Sequence, residues 1–162
     1  MGDTGLARVI SGNREVACER IIERAAFAAG GFAALGVTPG DAVALVLRND
    51  IAFFEASYAA QLLGAYCVPV NWHGTAAEIG YVLRDCAARA VVAHADLLPQ
   101  VAPALPPGAA LLVVPTPPEI ARAYDIPAEA CMPPPGAIRW PDWLDQWRAR
   151  GSVSIRRARS GP

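Results

Sequence analysis

Lysine is absent from this chain: all fourteen of its Lys and Arg positions are arginine. That excludes a phosphate-cradling loop ending in Gly-Lys-Ser/Thr, a Schiff-base lysine, and a lysine clamp on a carboxylate or phosphate. Histidine is scarce, with only His73 and His94 and no His-x-x-x-His pair, and the cysteines at 18, 67, 86 and 131 show no Cys-x-x-Cys spacing. A Cys/His metal site is therefore not expected, and the thiols read as small buried hydrophobes in a reducing compartment. Charged residues make up only 18% and the formal net charge is −1, without the basic footprint that sequence-independent nucleic-acid binding requires. Arg156, Arg157 and Arg159 are the one local basic cluster, and a short tail of that kind reads as solvated.

Long apolar runs are missing as well. The longest, 25–37, is mostly Ala and Gly and falls short of the ~20 residues a membrane span needs. Residues 1–8 lack the apolar core of a secretory signal, so a soluble, cytoplasmic protein is expected. No Gly-x-Ser-x-Gly elbow occurs, and no Gly-x-Gly-x-x-Gly follows any expected strand.

What is present is enough apolar material for one core, 54% over 162 residues. Two short β-like runs, 7–10 and 15–18, flank Ser11-Gly12-Asn13-Arg14 and predict a small hairpin. Ile21, Ala25, Ala28, Phe32 and Leu35 recur at helical spacing and predict a helix over 18–35, with a kink at Gly30-Gly31. Strands are expected at 42–47, 66–70, 90–93 and 110–114 and helices at 50–63 and 76–86, with a short helix over 96–101. Asn49 or Asp50 caps the second helix, and Thr75-Ala-Ala-Glu78 is a capping box for the third. This rhythm predicts an α/β fold: a partial doubly wound, mainly parallel sheet of three to four strands with flanking helices and an N-terminal hairpin. Beyond Val114 the prolines predict little regular structure, apart from a turn or two at Trp140-Pro-Asp-Trp143-Leu-Asp-Gln-Trp147 that packs on the body. The folded portion is expected over 1–147, with 148–162 disordered.

Candidate chemistry is thin. Asp50 and Glu55 share one helix without facing each other, and read as a cap and a surface acid in preference to an acid/base pair. His73, just past a strand end, is the best single candidate by position. No catalytic, cofactor-binding or metal-binding residue is assigned from the sequence.

The order of these segments resembles a known family. Leu35-Gly-Val-Thr-Pro-Gly-Asp-Ala-Val-Ala-Leu-Val-Leu47 resembles the helix–turn–strand opening of AMP-forming acyl-CoA synthetases, the superfamily of luciferases and peptide-synthetase adenylation domains. Gln61-Leu-Leu-Gly-Ala-Tyr-Cys-Val-Pro-Val-Asn71 is similar to its early Val-Pro core motif, with Gln61 in place of a common lysine. The stretch from Thr75 to Ala93 continues the likeness, and Ala17 stands where a capping Ser or Thr is common. Coverage is about 7–114, more loosely to 147. The resemblance implies an acid–CoA ligase that uses a fatty or aromatic carboxylic acid, ATP, magnesium and coenzyme A through an acyl-adenylate, with a fatty-acyl substrate the favoured class. It also implies what is missing: the Ser/Thr-Gly-rich ATP loop, the ribose-binding aspartate, the hinge and the C-terminal lysine. The matched motifs are scaffold, so no catalytic residue carries over. The expectation is an inactive N-terminal fragment, truncated by a frameshift or premature stop, that binds no cofactor itself and self-associates through exposed apolar surface. The competing expectation is a non-catalytic α/β module that binds a partner through an open sheet face or edge.

Overall fold

A computed structural model of the chain describes residues 7–151. The hairpin forms as expected, β1 (Arg8–Ser11) pairing antiparallel with β2 (Arg14–Ala17). Its turn needs Gly12: φ is +59°, and a Cβ there would lie 2.6 Å from the Glu119 side chain. Helix α1 (Cys18–Ala34) follows directly from Ala17, which supplies no side-chain cap. Helix α1 runs unbroken through Gly30-Gly31, where a kink was expected. Gly31 is there for a different reason: a Cβ on it would sit 2.2 Å from the Trp143 ring.

Five parallel strands form the main sheet in the order β4-β3-β5-β6-β7. They are β3 (Ala42–Val46), β4 (Tyr66–Pro69), β5 (Ala90–His94), β6 (Ala110–Val114) and β7 (Ile138–Arg139). Registers such as Val43↔Ala90 and Val91↔Leu111 bury β3 and β5 on both faces, the condition their unbroken apolar runs require. The parallel α/β expectation holds, and the sheet is one strand wider than the three to four expected. The added β7 has two residues, paired with Leu112 and Val113. No period can be read from so short a segment.

Helices α2 (Ile51–Leu62), α3 (Ala76–Asp85), α4 (Leu98–Val101) and α5 (Pro118–Ala123) lie between successive strands, and α6 (Trp140–Ala149) follows β7. Short 3₁₀ turns flank α4 and cover Ala128–Cys131. One core packs α1, α2 and α6 on one sheet face; the other packs α3 and α4 on the opposite face. The α3 capping box forms, with Thr75 and Glu78 satisfying each other's backbone donors.

Helix α2 buries its small side chains, Ala52, Ala56, Ala59 and Ala60, and leaves Phe54, Tyr58 and Leu62 partly exposed. Its neighbour α1 presents Ala25, Ala28 and Ala29, so the two helices approach closely through alanines. The segment beyond Val114 is more ordered than expected. Its prolines start helices instead of breaking them: Pro118 opens α5, and Pro141 lies in the first turn of α6. Helix α6 also runs through Ala149, past the expected boundary at 147. The rest of the expected disordered tail, 152–162 with its Arg156, Arg157 and Arg159, lies outside the described residues.

Candidate functional site at the C-terminal edge of the sheet

The connection leaving β3 runs over one sheet face through α2, and that leaving β5 runs over the other through α4. Their C-terminal ends therefore diverge, and this is the point at which doubly wound sheets open a crevice. Three buried polar side chains gather there. Arg48 and Asp50 follow β3, and His94 ends β5. The Arg48 backbone N–H donates to His94 Nδ1 at 3.0 Å. That leaves the ring proton on Nε2, which donates to Asp50 Oδ2 at 3.1 Å. Asp50 also caps α2 by accepting from the Ile51 amide, and its Oδ1 pairs with Arg14 of the hairpin at 2.5 Å. Arg14 reaches Glu119 of α5 as well. Burial pushes the Asp50 carboxyl up, but the His94 hydrogen bond and the Arg14 pair outweigh it and hold the group below its ordinary range.

Beside this cluster, the Arg48 guanidinium binds Asp96 at 2.6 Å and lies over the rings of Trp72 and Tyr124, 4.0 and 4.2 Å from their centroids. Thr116, two residues past β6, donates to Asp96 at 2.6 Å. Loops after three parallel strands are thus tied together by charge-assisted bonds, and the loop after β4 joins them through the cation–π contact of Trp72.

Next to the network opens a cavity of about 880 Å³, lined by α2, α5, the Ala128–Cys131 turn and the start of α6. Glu55 and Asp50 both line it. Glu55 is buried, paired with Arg24 at 2.5 Å and accepting the Trp140 Nε1–H at 2.8 Å. The two carboxylates serve separate ion pairs; the expectation that Glu55 is a surface acid is corrected by its burial. Cys131 also lines the cavity, and burial pushes its thiol up, away from the reactive thiolate. Of the other cysteines, 18, 67 and 86 are only half-buried, a departure from the buried reading, and all four are free thiols.

His73 is exposed and stacked on Trp72 at 3.5 Å, away from the cavity lining. Trp140 and Trp143 pack around Phe32 and fasten α6 to α1, with Trp147 against Trp143. The sequence reading passed over Arg14, Arg24 and His94. His94 carried one usable signal, its place at the very end of a fully buried strand. The arginines carried none, because their partners lie 36 and 31 residues away.

The N-termini of α2 and α3 are not open to a phosphate. The amide at the start of α2, where a phosphate would bind, is capped by the Asp50 carboxylate, and α3 is capped by its own Thr75–Glu78 box. Each would set a phosphate beside a fixed negative charge. Among the described residues no group of three or more His, Cys, Asp and Glu side chains is arranged to hold a metal ion.

Residues 5–137 match the model of the AMP-binding enzyme family, described as AMP-binding enzyme. The chain belongs to that family. It is 38% identical over 79 residues to the long-chain-fatty-acid–CoA ligase FadD13 of Mycobacterium tuberculosis, an alignment covering 46% of this chain and 16% of that protein. It is 36% identical over 89 residues to the 2-succinylbenzoate–CoA ligase of Geobacillus kaustophilus, covering 55% of this chain and 18% of that one. Among solved structures, a benzoate CoA ligase from Burkholderia xenovorans superposes with a TM-score of 0.67 at 26% identity, over 84% of this chain and 24% of that one. The chain thus spans under a fifth of the length of these curated relatives.

Proposed function

We propose that these residues form the front portion of an ATP-dependent acid–CoA ligase and, taken alone, catalyse nothing. In the reaction of such a ligase, a carboxylate oxygen attacks the α-phosphorus of ATP and pyrophosphate leaves. The thiol of coenzyme A then attacks the acyl carbon, and AMP leaves. The observation that carries the reading is the family match over 5–137 in a chain without lysine, whose helix N-terminus at the sheet edge is closed by Asp50. Offsetting charge on the triphosphate is the main demand of the first step, and nothing here supplies it. ATP, magnesium and coenzyme A would be held by groups outside these 162 residues. The likeness to FadD13 favours a fatty acid as the substrate of the longer protein. Isolated, the chain is expected to self-associate through the apolar surface it exposes.

ATP–pyrophosphate exchange with a panel of fatty and aromatic acids tests this. Purified 1–162 is expected to give no exchange above a denatured control, and exchange is expected once downstream ligase sequence is joined in frame. Exchange by 1–162 alone would overturn the proposal.

A further inference from the structure

Arg14 and Arg24 both line the cavity beside the sheet edge, and each keeps part of its guanidinium unpaired. Arg24 reaches Glu55 through Nε alone, so its end-on fork, Nη1 and Nη2, holds no hydrogen bond among the described residues. Arg14 commits Nε to Glu119 and Nη2 to Ser11 and Asp50, leaving Nη1. None of these free nitrogens is a buried orphan atom, so each keeps access to solvent. The acceptors are in the opposite condition. Both Asp50 oxygens already accept, from Ile51, Arg14 and His94, and both Glu55 oxygens accept, from Arg24 and Trp140. Arg122 and Asp125 add one exposed charge of each sign. The other walls are largely apolar, among them Pro115, Pro117, Ile126 and Met132.

We infer that this cavity is a binding site for a single carboxylate carried on an apolar body, held by the Nη1–Nη2 fork of Arg24 with Arg14 Nη1 as a further donor. A guanidinium paired through Nε keeps a second planar edge, whose parallel N–H groups match the two oxygens of another carboxylate. An alcohol or a neutral amide offers that fork one oxygen. A more highly charged anion meets the Asp50 and Glu55 carboxylates, which also line the cavity, so one negative charge fits where a triphosphate does not. The apolar walls take the body of the ligand, and about 880 Å³ is the size of sites that hold small organic molecules. This is a site for binding and not for reaction: the neighbouring α2 N-terminus is closed by Asp50, so no phosphate is seated beside the carboxylate there. The inference does not depend on the ligase reading, because it concerns only groups within this chain, and pyrophosphate exchange does not bear on it.

The test is titration of the full chain, near neutral pH, with octanoate, octanamide, octan-1-ol and acetate in separate arms, followed by ¹H–¹⁵N NMR. The Arg24 Nε–H and the Trp140 indole N–H both bond to Glu55 and belong to lining residues, so they report occupancy, whereas Trp72 and Trp147 lie outside the lining. Octanoate is expected to shift both resonances saturably. Its affinity should exceed that of octanamide and octan-1-ol at least tenfold, through the second oxygen and the charge, and that of acetate at least tenfold, through the apolar body. Arg24→Lys keeps a cation for Glu55 and removes the fork, and should weaken octanoate at least fivefold while leaving octan-1-ol unchanged. Ala121→Phe, at a half-buried lining position, should weaken both while the spectrum stays dispersed. The four-ligand comparison in the unaltered chain decides the matter even where a variant fails to fold. Octan-1-ol or octanamide binding as tightly as octanoate, acetate binding as tightly as octanoate, or no saturable shift with octanoate would overturn the inference. So would shifts that follow protein concentration alone, which would assign the cavity to a second copy of the chain.

Discussion

His94 Nε2 lies 3.1 Å from Asp50 Oδ2, both side chains buried, and this bond joins the ends of two neighbouring strands. Because the Arg48 amide occupies Nδ1, the imidazole acts as a fixed donor to the carboxylate. Asp50 is held below its ordinary value of 3.8 in the folded state. A carboxylate so depressed adds stability above its unfolded pKa and loses it as pH falls through the folded value. Urea unfolding should therefore show stability declining below about pH 5. Asp50→Asn should flatten part of that acid limb and cost about 3 kcal/mol at pH 7, by removing the charge that Arg14 pairs with and replacing one of the two acceptor oxygens that serve His94 and Arg14 with an N–H donor. An unchanged acid limb in the variant would contradict the assignment.

Gly31→Ala is expected to destabilise the chain, although alanine is favoured over glycine in a helix by about 1 kcal/mol. The added methyl would lie 2.2 Å from the Trp143 ring, and the overpacking should outweigh propensity by a net ~2 kcal/mol. Pairing it with Trp143→Leu should recover much of the loss. Additive effects in that double-mutant cycle would mean the two sites do not meet.

Trp140→Phe keeps an aromatic ring between α1 and α6 and deletes the N–H that Glu55 accepts. Leaving Glu55 with Arg24 alone should cost about 2 kcal/mol, measured by chemical denaturation. In a Glu55→Gln background the same substitution should cost less, since a neutral amide loses a weaker bond.

Phe54, Tyr58 and Leu62 form a partly exposed stripe along α2, next to the edge strand β4, whose Tyr66 is also exposed. Sedimentation velocity of the isolated chain should show concentration-dependent association, reduced by Tyr58→Glu. A monomer that persists undiluted at high concentration would contradict this.

The elements up to Val114 were legible because each is local. Ala42–Val46 and Ala90–His94 are apolar runs bounded by turn residues, and Thr75–Glu78 caps its own helix within four positions. The class of fold followed from their alternation. Other features needed the third dimension. Two-residue β7 exists only because β6 offers it a paired edge. The outward face of α2 was decided by the alanines of α1, which admit only small neighbours. Gly31 answers to a tryptophan in α6, not to its own helix. Composition alone determined that no lysine chemistry takes place in this chain. Whether its arginines are free to bind an anion was decided by tertiary structure, because a guanidinium's availability depends on the carboxylates that folding brings beside it. Folding brings Asp50 and Glu119 to Arg14, Glu55 to Arg24 and Asp96 to Arg48.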